Sequence, residues 1–244
     1  MNAGLTTATS GRVLRQVRTD RRTIALILVV PCVLLGLLAW IYDGTRVFDT
    51  IGPALLGVFP MIVMFIVTSV ATLRERQSGT LERLLTTPMG KGDFMMGYAV
   101  AFGVLSTVQA LIATGFAVWV CGLDVAGPLW LLVVVAVLDA VLGTALGLLA
   151  SGFARTEFQA VQFMPAFLLP QFLLCGLLVP RDELPTVLEW VSNVLPLSYA
   201  VDAMKVIAAE ADPVTTVLGD LGVVAAFIAG ALALASLTLS RRSA

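Results

Sequence analysis

Apolar residues in this chain gather into runs of about twenty, separated by short polar intervals. The hydrocarbon core of a bilayer is about 30 Å thick, and a helix rising 1.5 Å per residue crosses it in about 20 residues. Six runs meet that length, at about 23–42, 51–73, 94–121, 127–150, 160–179 and 220–239. Only helices or closed barrels satisfy their backbone in lipid. The pattern therefore predicts an all-α integral membrane protein, one transmembrane domain of six spans over residues 1–244. Pro31, Pro60, Pro165 and Pro170 fall inside the runs, and the pair in the fifth predicts a broken or kinked helix there.

Three polar intervals have a periodicity of their own. Within residues 1–22, Val13, Leu14 and Val17 lie at helical spacing with arginines between them. That is an amphipathic interface helix on the inner leaflet, with anionic lipid as its counter-charge. In the outer segment 180–210, Leu184, Leu188, Val191 and Leu195 repeat at intervals of 4, 3 and 4. The stripe predicts a short helix, too short to span, in an interfacial or re-entrant hairpin capping the fifth and sixth runs. The third interval, RERQSGTLERLLTTP from Arg74 to Pro88, puts Leu81, Leu84 and Leu85 on one helical stripe, with Pro88 placed to stop it. Arg74, Glu75 and Arg76 prolong the second span, and the short helix covers about 76–90. From the residues alone this stretch is either a docking knob for a soluble partner or a loop whose leucines lie against headgroups.

Composition narrows the function. Of 244 residues 59% are apolar and 13% charged, far from the soluble average of about 25% charged. The net charge of −1 argues against a nucleic-acid partner, and zero histidines removes the commonest general base and metal ligand. Cys32, Cys121 and Cys175 show no ligand spacing, so no metal site and no catalytic residue is predicted. Basic residues set the orientation: with the N-terminus inside, twelve lie in inner segments and three (Arg46, Arg181, Lys205) in outer ones. Trp40, Trp119, Trp130 and Trp190 fall at outer ends, as an interfacial belt requires. The expectation is a multi-pass plasma-membrane protein with both termini cytoplasmic. Its first run starts late and is long enough to span, unlike a cleaved leader.

The interval after the second run closely resembles the E-x-G-T-L-E-x-L-x-x-x-P stretch of type-2 ATP-binding-cassette exporter permeases, a family that includes daunorubicin-resistance-like membrane subunits. A second block, GLLVPRDELPTVLEWVSNVLPLSYAVDAMK from Gly176 to Lys205, resembles that family's S-G-x-x-x-P…L-P…P-L-x-Y pattern. Cys175 replaces the usual small hydroxyl residue, and Gln77 stands where an acidic residue is common.

The resemblance implies a permease subunit paired with a second copy or a paralogue and with two cytoplasmic ATP-binding subunits. It would make Arg74, Glu75, Arg76, Gly79, Thr80, Leu81, Glu82, Leu84, Leu85 and Pro88 the ATPase-docking surface. ATP and Mg would be bound by the partner. Consistently, the chain has no G-x-x-x-x-G-K-[ST] loop and binds no cofactor of its own on this reading. The cargo would be a hydrophobic or amphipathic compound moved outward, a drug, lipid or lipid-linked molecule. Asp139, Gln171, Gly176, Pro180, Pro185, Pro196 and Tyr199 are candidates for its path or gate.

Asp139 sits mid-span and is either a cavity-facing substrate or proton site, or a structural group bonded to Gln109 or Thr107. Small-residue rows at Gly143, Gly147, Ser151 and at Gly222, Ala226, Gly230 let helices approach closely, within the subunit or between subunits. Other classes stay open: an ATP-independent channel or secondary transporter, which would want more intramembrane charge, and a membrane enzyme, for which no paired constellation is present.

Overall fold

Asp20 divides the first two helices. Its Oδ1 accepts the backbone N–H groups of Arg22 (3.1 Å) and Thr23 (3.3 Å), and Oδ2 accepts the Thr23 hydroxyl at 2.7 Å. This is a side-chain N-cap. The Thr23 hydroxyl first, and its N–H second, hold the Asp20 carboxyl below the usual carboxylate range. In the computed structural model, which describes residues 3–78 and 90–238, α1 (Ala3–Thr19) ends at this cap and α2 (Arg21–Ile41) begins. There follow α3 (Val47–Gln77), α4 (Lys91–Trp119), α5 (Leu129–Ser151) and α6 (Glu157–Leu174). A 3-10 turn at Arg181–Glu183 leads to α7 (Thr186–Val194), α8 (Pro196–Ala209) and α9 (Val214–Thr238). Among the described residues there is no strand. Gly79, Thr80, Leu81, Glu82, Leu84, Leu85 and Pro88 lie outside the described residues.

Among the described residues five helices, α2, α3, α4, α5 and α9, are long and apolar enough to cross a membrane. The fifth predicted run, 160–179, is corrected in two respects. Its helix is α6, which starts earlier and ends earlier, at Glu157 and Leu174; of the two forms expected at Pro165 and Pro170, broken or kinked, the uninterrupted helix excludes the break. Thr156 caps its start by accepting the Gln159 N–H at 3.1 Å, and the chain leaves it through Gly176 at φ +85°. The α6 helix carries Gln159, Gln162 and Gln171 and has 18 residues, about 27 Å of helix. The outer segment also divides differently from the predicted cap. The apolar face of α7 (Val187, Leu188, Trp190, Val191) is exposed, whereas α8 buries Leu197, Val201, Met204 and Ile207 among α3, α5 and α9.

The molecule is organised around α3 and α5, both mostly buried, with α2 and α9 mostly exposed. These two central helices touch at every fourth residue. A methyl on Gly143 would lie 2.2 Å from the Met61 carbonyl oxygen, and one on Gly147 would lie 2.6 Å from that of Phe65. One turn earlier, a methyl on Gly57 would lie 2.7 Å from Asp139 Oδ2. The ladder 57/139, 61/143, 65/147 has both numbers rising together, so the helices run parallel, as the second and fourth spans of an up-and-down chain must. The first small-residue row therefore packs inside the subunit. On α9, by contrast, Gly222 and Gly230 face open space.

Pro31 creates a second tight requirement. It has no N–H, so the Ile27 carbonyl one turn back loses its helical partner. Gln109 on α4 replaces it, its Nε2 donating to Ile27 O at 2.9 Å from a fully buried position.

Two expectations follow. Gly143→Ala should lower the unfolding midpoint of the detergent-solubilised protein by an amount equivalent to about 1–3 kcal/mol of overpacking. Gly230→Ala should stay within about 0.5 kcal/mol. Equal effects would contradict the intramolecular ladder. Gln109→Leu should cost about 1–3 kcal/mol for the orphaned carbonyl. Pro31→Ala in that background should recover most of it by restoring the N–H, so thermal melts of the single and double variants decide the point.

Candidate functional site

Successive residues of a helix project about 100° apart, so four in a row face every direction. At the C-terminal end of α3 those four are Arg74, Glu75, Arg76 and Gln77, and their side chains reach three parts of the protein: the entry to α6, the α1–α4 pair and the end of α9. Arg74 forms a bidentate pair with Glu157 at the start of α6, Nε to Oε1 at 2.7 Å and Nη2 to Oε2 at 2.9 Å. Glu75 Oε1 accepts Arg12 Nη1 from α1 at 2.9 Å, and Arg12 Nη2 donates to the Tyr98 hydroxyl of α4 at 3.1 Å. Arg76 Nη2 lies 3.5 Å from Thr238 Oγ1 at the end of α9, the outer limit of a hydrogen bond. Gln77 Nε2 donates to the Arg155 carbonyl oxygen at 2.7 Å, in the link between α5 and α6. Ser78 closes the helix, its N–H donating to Arg74 O at 2.9 Å.

These four side chains form a collar at the root of the 79–89 segment, but their energies differ. The Arg74–Glu157 pair is exposed on both sides, and such pairs contribute about 0–1 kcal/mol. Glu75 is 7% exposed, so its Arg12 bond is the one that a missing partner would make costly. Arg12 also lies 6.0 Å from the Tyr98 ring centroid. Its pKa is raised overall: burial opposes the shift, and Tyr98 and Glu75 outweigh it. The helix α1 is seated on α4 where Gly97 leaves space, since a methyl there would meet Thr9 Cβ at 2.6 Å. Of the docking residues predicted on α3, Arg74 thus stays at the surface while Glu75 is turned inward. Arg12 was read from sequence only as one of the basic residues of the N-terminal segment. Its one signal is position: it is next to Val13 and three residues after Thr9, at the edge of the stripe that Thr9, Val13 and Val17 bury.

At the opposite end of α6, the second predicted set is brought together only in part. Gly176, in the left-handed region that favours glycine, accepts Lys205 Nζ on its carbonyl oxygen. Arg181 bonds Asp202 and Asn193 and lies 5.4 Å from the Tyr199 ring centroid. The Tyr199 hydroxyl donates to Asn193 O at 2.7 Å. Pro180 precedes the 3-10 turn, Pro185 precedes α7, and Pro196 opens α8. These positions pin the link between α6 and α8. Arg181, which lies beside Tyr199, and Lys205, which bonds Gly176, were read from sequence only as outer basic residues.

Gln171 and Asp139 are placed elsewhere. Gln171 is buried and donates to Phe167 O at 3.0 Å, one turn back on its own helix. Asp139 is 1% exposed, and neither carboxylate oxygen has a hydrogen-bond partner among the described residues. The expected partners are corrected: Gln109 serves Ile27 O, and the Thr107 hydroxyl donates to Gly103 O at 2.9 Å. Position 139 is one turn before Gly143, so its side chain faces α3 rather than α4. Chemically it can take up a proton, or accept a hydrogen bond from a water or a cationic group brought to it. Among the described residues no cluster of His, Cys, Asp or Glu is suited to a metal.

The pattern of the ABC-2 type transporter membrane domain matches residues 5–208. The chain is 31% identical over 153 residues to the probable multidrug ABC transporter permease YbhR of Escherichia coli K12, covering 63% of this chain and 42% of that protein. It is 28% identical over 204 residues to the linearmycin resistance permease protein LnrN of Bacillus subtilis 168, covering 82% and 52%. It is 26% identical over 162 residues to ABC transporter G family member 20 of Dictyostelium discoideum, covering 66% and 22%. The chain thus spans about half or less of the length of these relatives. A family pattern running over 204 of 244 residues, together with five helices of membrane-crossing length, places the chain in one group: it belongs to the ABC-2 type transporter family of membrane proteins.

Proposed function

We propose that this chain is the membrane permease of an ATP-driven exporter, moving a hydrophobic or amphipathic compound out of the cytoplasm or inner leaflet. Two cytoplasmic subunits bind ATP and Mg, and a second copy or paralogue of the permease completes the pathway. Relatives named for multidrug and linearmycin resistance support that cargo class. The observation that carries the reading is the collar. A load applied to the 79–89 segment enters α3 at Gln77 and reaches α1 and α4, α6 and α9 through four adjacent side chains. A loop that only touched headgroups would not require such bracing at its root.

On this reading the six-span topology counts α6 as the fifth span, with both termini cytoplasmic in the plasma membrane. Gly79, Thr80, Leu81, Glu82, Leu84, Leu85 and Pro88 form the surface that docks into the ATPase, and Arg74 and Arg76 anchor its base. Closure of the ATP-bound partner displaces that surface, and the span arrangement turns from inward-facing to outward-facing. A near-complete switch needs a preference of about 5 kcal/mol between the two arrangements. The Gly176–Tyr199 link gates the exit. The unpartnered Asp139 favours one alternative, an ATP-independent channel or secondary transporter driven by an ion gradient.

The two readings separate in a reconstituted vesicle assay. Glu82→Ala and Leu84→Asp should abolish ATP-dependent export and the associated substrate-stimulated ATPase while leaving the elution profile unchanged. Normal transport in both variants, or transport driven by a proton gradient without ATP, would remove the docking role. The collar has its own check. Arg12→Gln and Glu75→Gln should each destabilise the protein, and the double variant should cost about 1–2 kcal/mol less than their sum, the half-exposed arginine keeping the coupling below that of a fully buried pair. Strict additivity in thermal melts would show the pair to be idle.

A further inference from the structure

The wedge between α1 and α2 holds an apolar cavity of about 280 Å³. Leu14, Ile24, Leu28, Leu105 and Val108 form its walls with the side chain of Ile27, and Arg18 is its one charged lining residue. The wedge exists because Asp20 breaks the chain between the two helices, while Gly97 lets α1 lie close on α4. Its one orphaned backbone acceptor, Ile27 O, is already taken by Gln109. A cavity with apolar walls and no free polar partner stays dry and accepts an apolar occupant.

Its mouth has the opposite character. Arg18 is exposed, and Arg15, Arg21 and Arg22 are exposed around the same turn. Among the described residues, the ion pairs of the protein involve Arg12, Arg74 and Arg181 and none of these four. The nearby carboxylate, Asp20, has both oxygens occupied by the cap on Arg22 and Thr23. One exposed guanidinium lining a dry, chain-wide slot, with three more exposed arginines within four residues of it along the chain and none of the four in an ion pair, calls for a ligand with an anionic head and an aliphatic tail.

We infer that this wedge is a binding site for one anionic phospholipid of the leaflet on which α1 lies, an acyl chain filling the slot and the phosphate bridging Arg18 and its neighbouring arginines. A guanidinium grips a phosphate with two parallel N–H donors, which favours an anionic lipid over a zwitterionic one whose own cation competes. The occupant closes the gap between α1 and α2 and so fixes the helix from which Arg12 reaches Glu75. The site does not depend on the export reading, because its test reads lipid retention and not transport.

Native mass spectrometry of the full-length chain in detergent provides that test, with dioleoyl phosphatidylglycerol, dioleoyl phosphatidylcholine and inorganic phosphate as probes. Wild type should retain one phosphatidylglycerol about tenfold better than phosphatidylcholine, the size of one charge-assisted contact. Arg18→Gln should bring the two lipids level, while Arg155→Gln, an exposed cation away from the wedge, should keep the preference. Leu105→Trp, or Val108→Phe if the first variant elutes abnormally, should reduce retention of both lipids by filling the slot. Inorganic phosphate should fail to displace the lipid at matched concentration. Equal retention of the two lipids by wild type, an unaltered preference in Arg18→Gln, unaltered retention in the slot-filling variants, or displacement by free phosphate would each overturn the assignment.

Discussion

The close approach of α3 and α5 is the constraint on which the rest of the structure depends. Between membrane helices no hydrophobic force operates, so association comes from van der Waals contact and is strongest where small residues let backbones meet. Gly143 and Gly147 provide this against the backbone at Met61 and Phe65. Because the ladder repeats every four residues on both helices, neither can rotate without driving a side chain into the other's backbone. The pair behaves as one body, and the remaining helices pack around it: α4 through the Ser106–Thr144 hydroxyl pair at 3.1 Å, α8 through Met204 against Gly57, and α9 against α5.

This rigidity gives the collar its reach. The α3 helix has 31 residues, about 46 Å, longer than a bilayer core is thick. Its surplus is what projects Arg74–Gln77 beyond the apolar part of the span to meet Glu157, Arg12, Thr238 and the Arg155 carbonyl. A displacement applied at Gln77 is therefore carried by a stiff rod locked to a second one. Its far end lies near Asp49, whose carboxylate accepts the Asp124 N–H at 3.1 Å in the link leading to α5.

The length and order of the helices were readable because membrane thickness sets one strong, local requirement, apolar runs of a fixed length. The shift of α6 shows where that reading runs out. Counting apolar residues drew the span toward Val179, whereas Thr156 and Gly176, a cap and a left-handed turn, set the helix ends. Partners far apart in sequence were not readable. Pro31 announces that the Ile27 carbonyl needs a donor but does not say that Gln109, 82 positions away, supplies it. Glu75 was read as a surface charge because nothing local reveals Arg12, 63 residues earlier. The structural alternative for Asp139 looked to Gln109 and Thr107 on α4, although its spacing of four from Gly143 and eight from Gly147 already put it on the row that meets α3.

That row gives Asp139 its meaning. Polar groups buried without partners are rare, and this one stands in the most tightly determined contact of the molecule, opposite a residue with no side chain. Since α3 and α5 move together, the space at Gly57 is not changed by relative motion of those two helices. It is changed by α8, whose Met204 closes the third side at 3.5 Å from a methyl placed on Gly57. The α8 helix is in turn held midway along its length, where Asp202 bonds Arg181 and Lys205 bonds the Gly176 carbonyl oxygen. A shift of α8 against the α3–α5 body is therefore the motion that would open Asp139 to a donor.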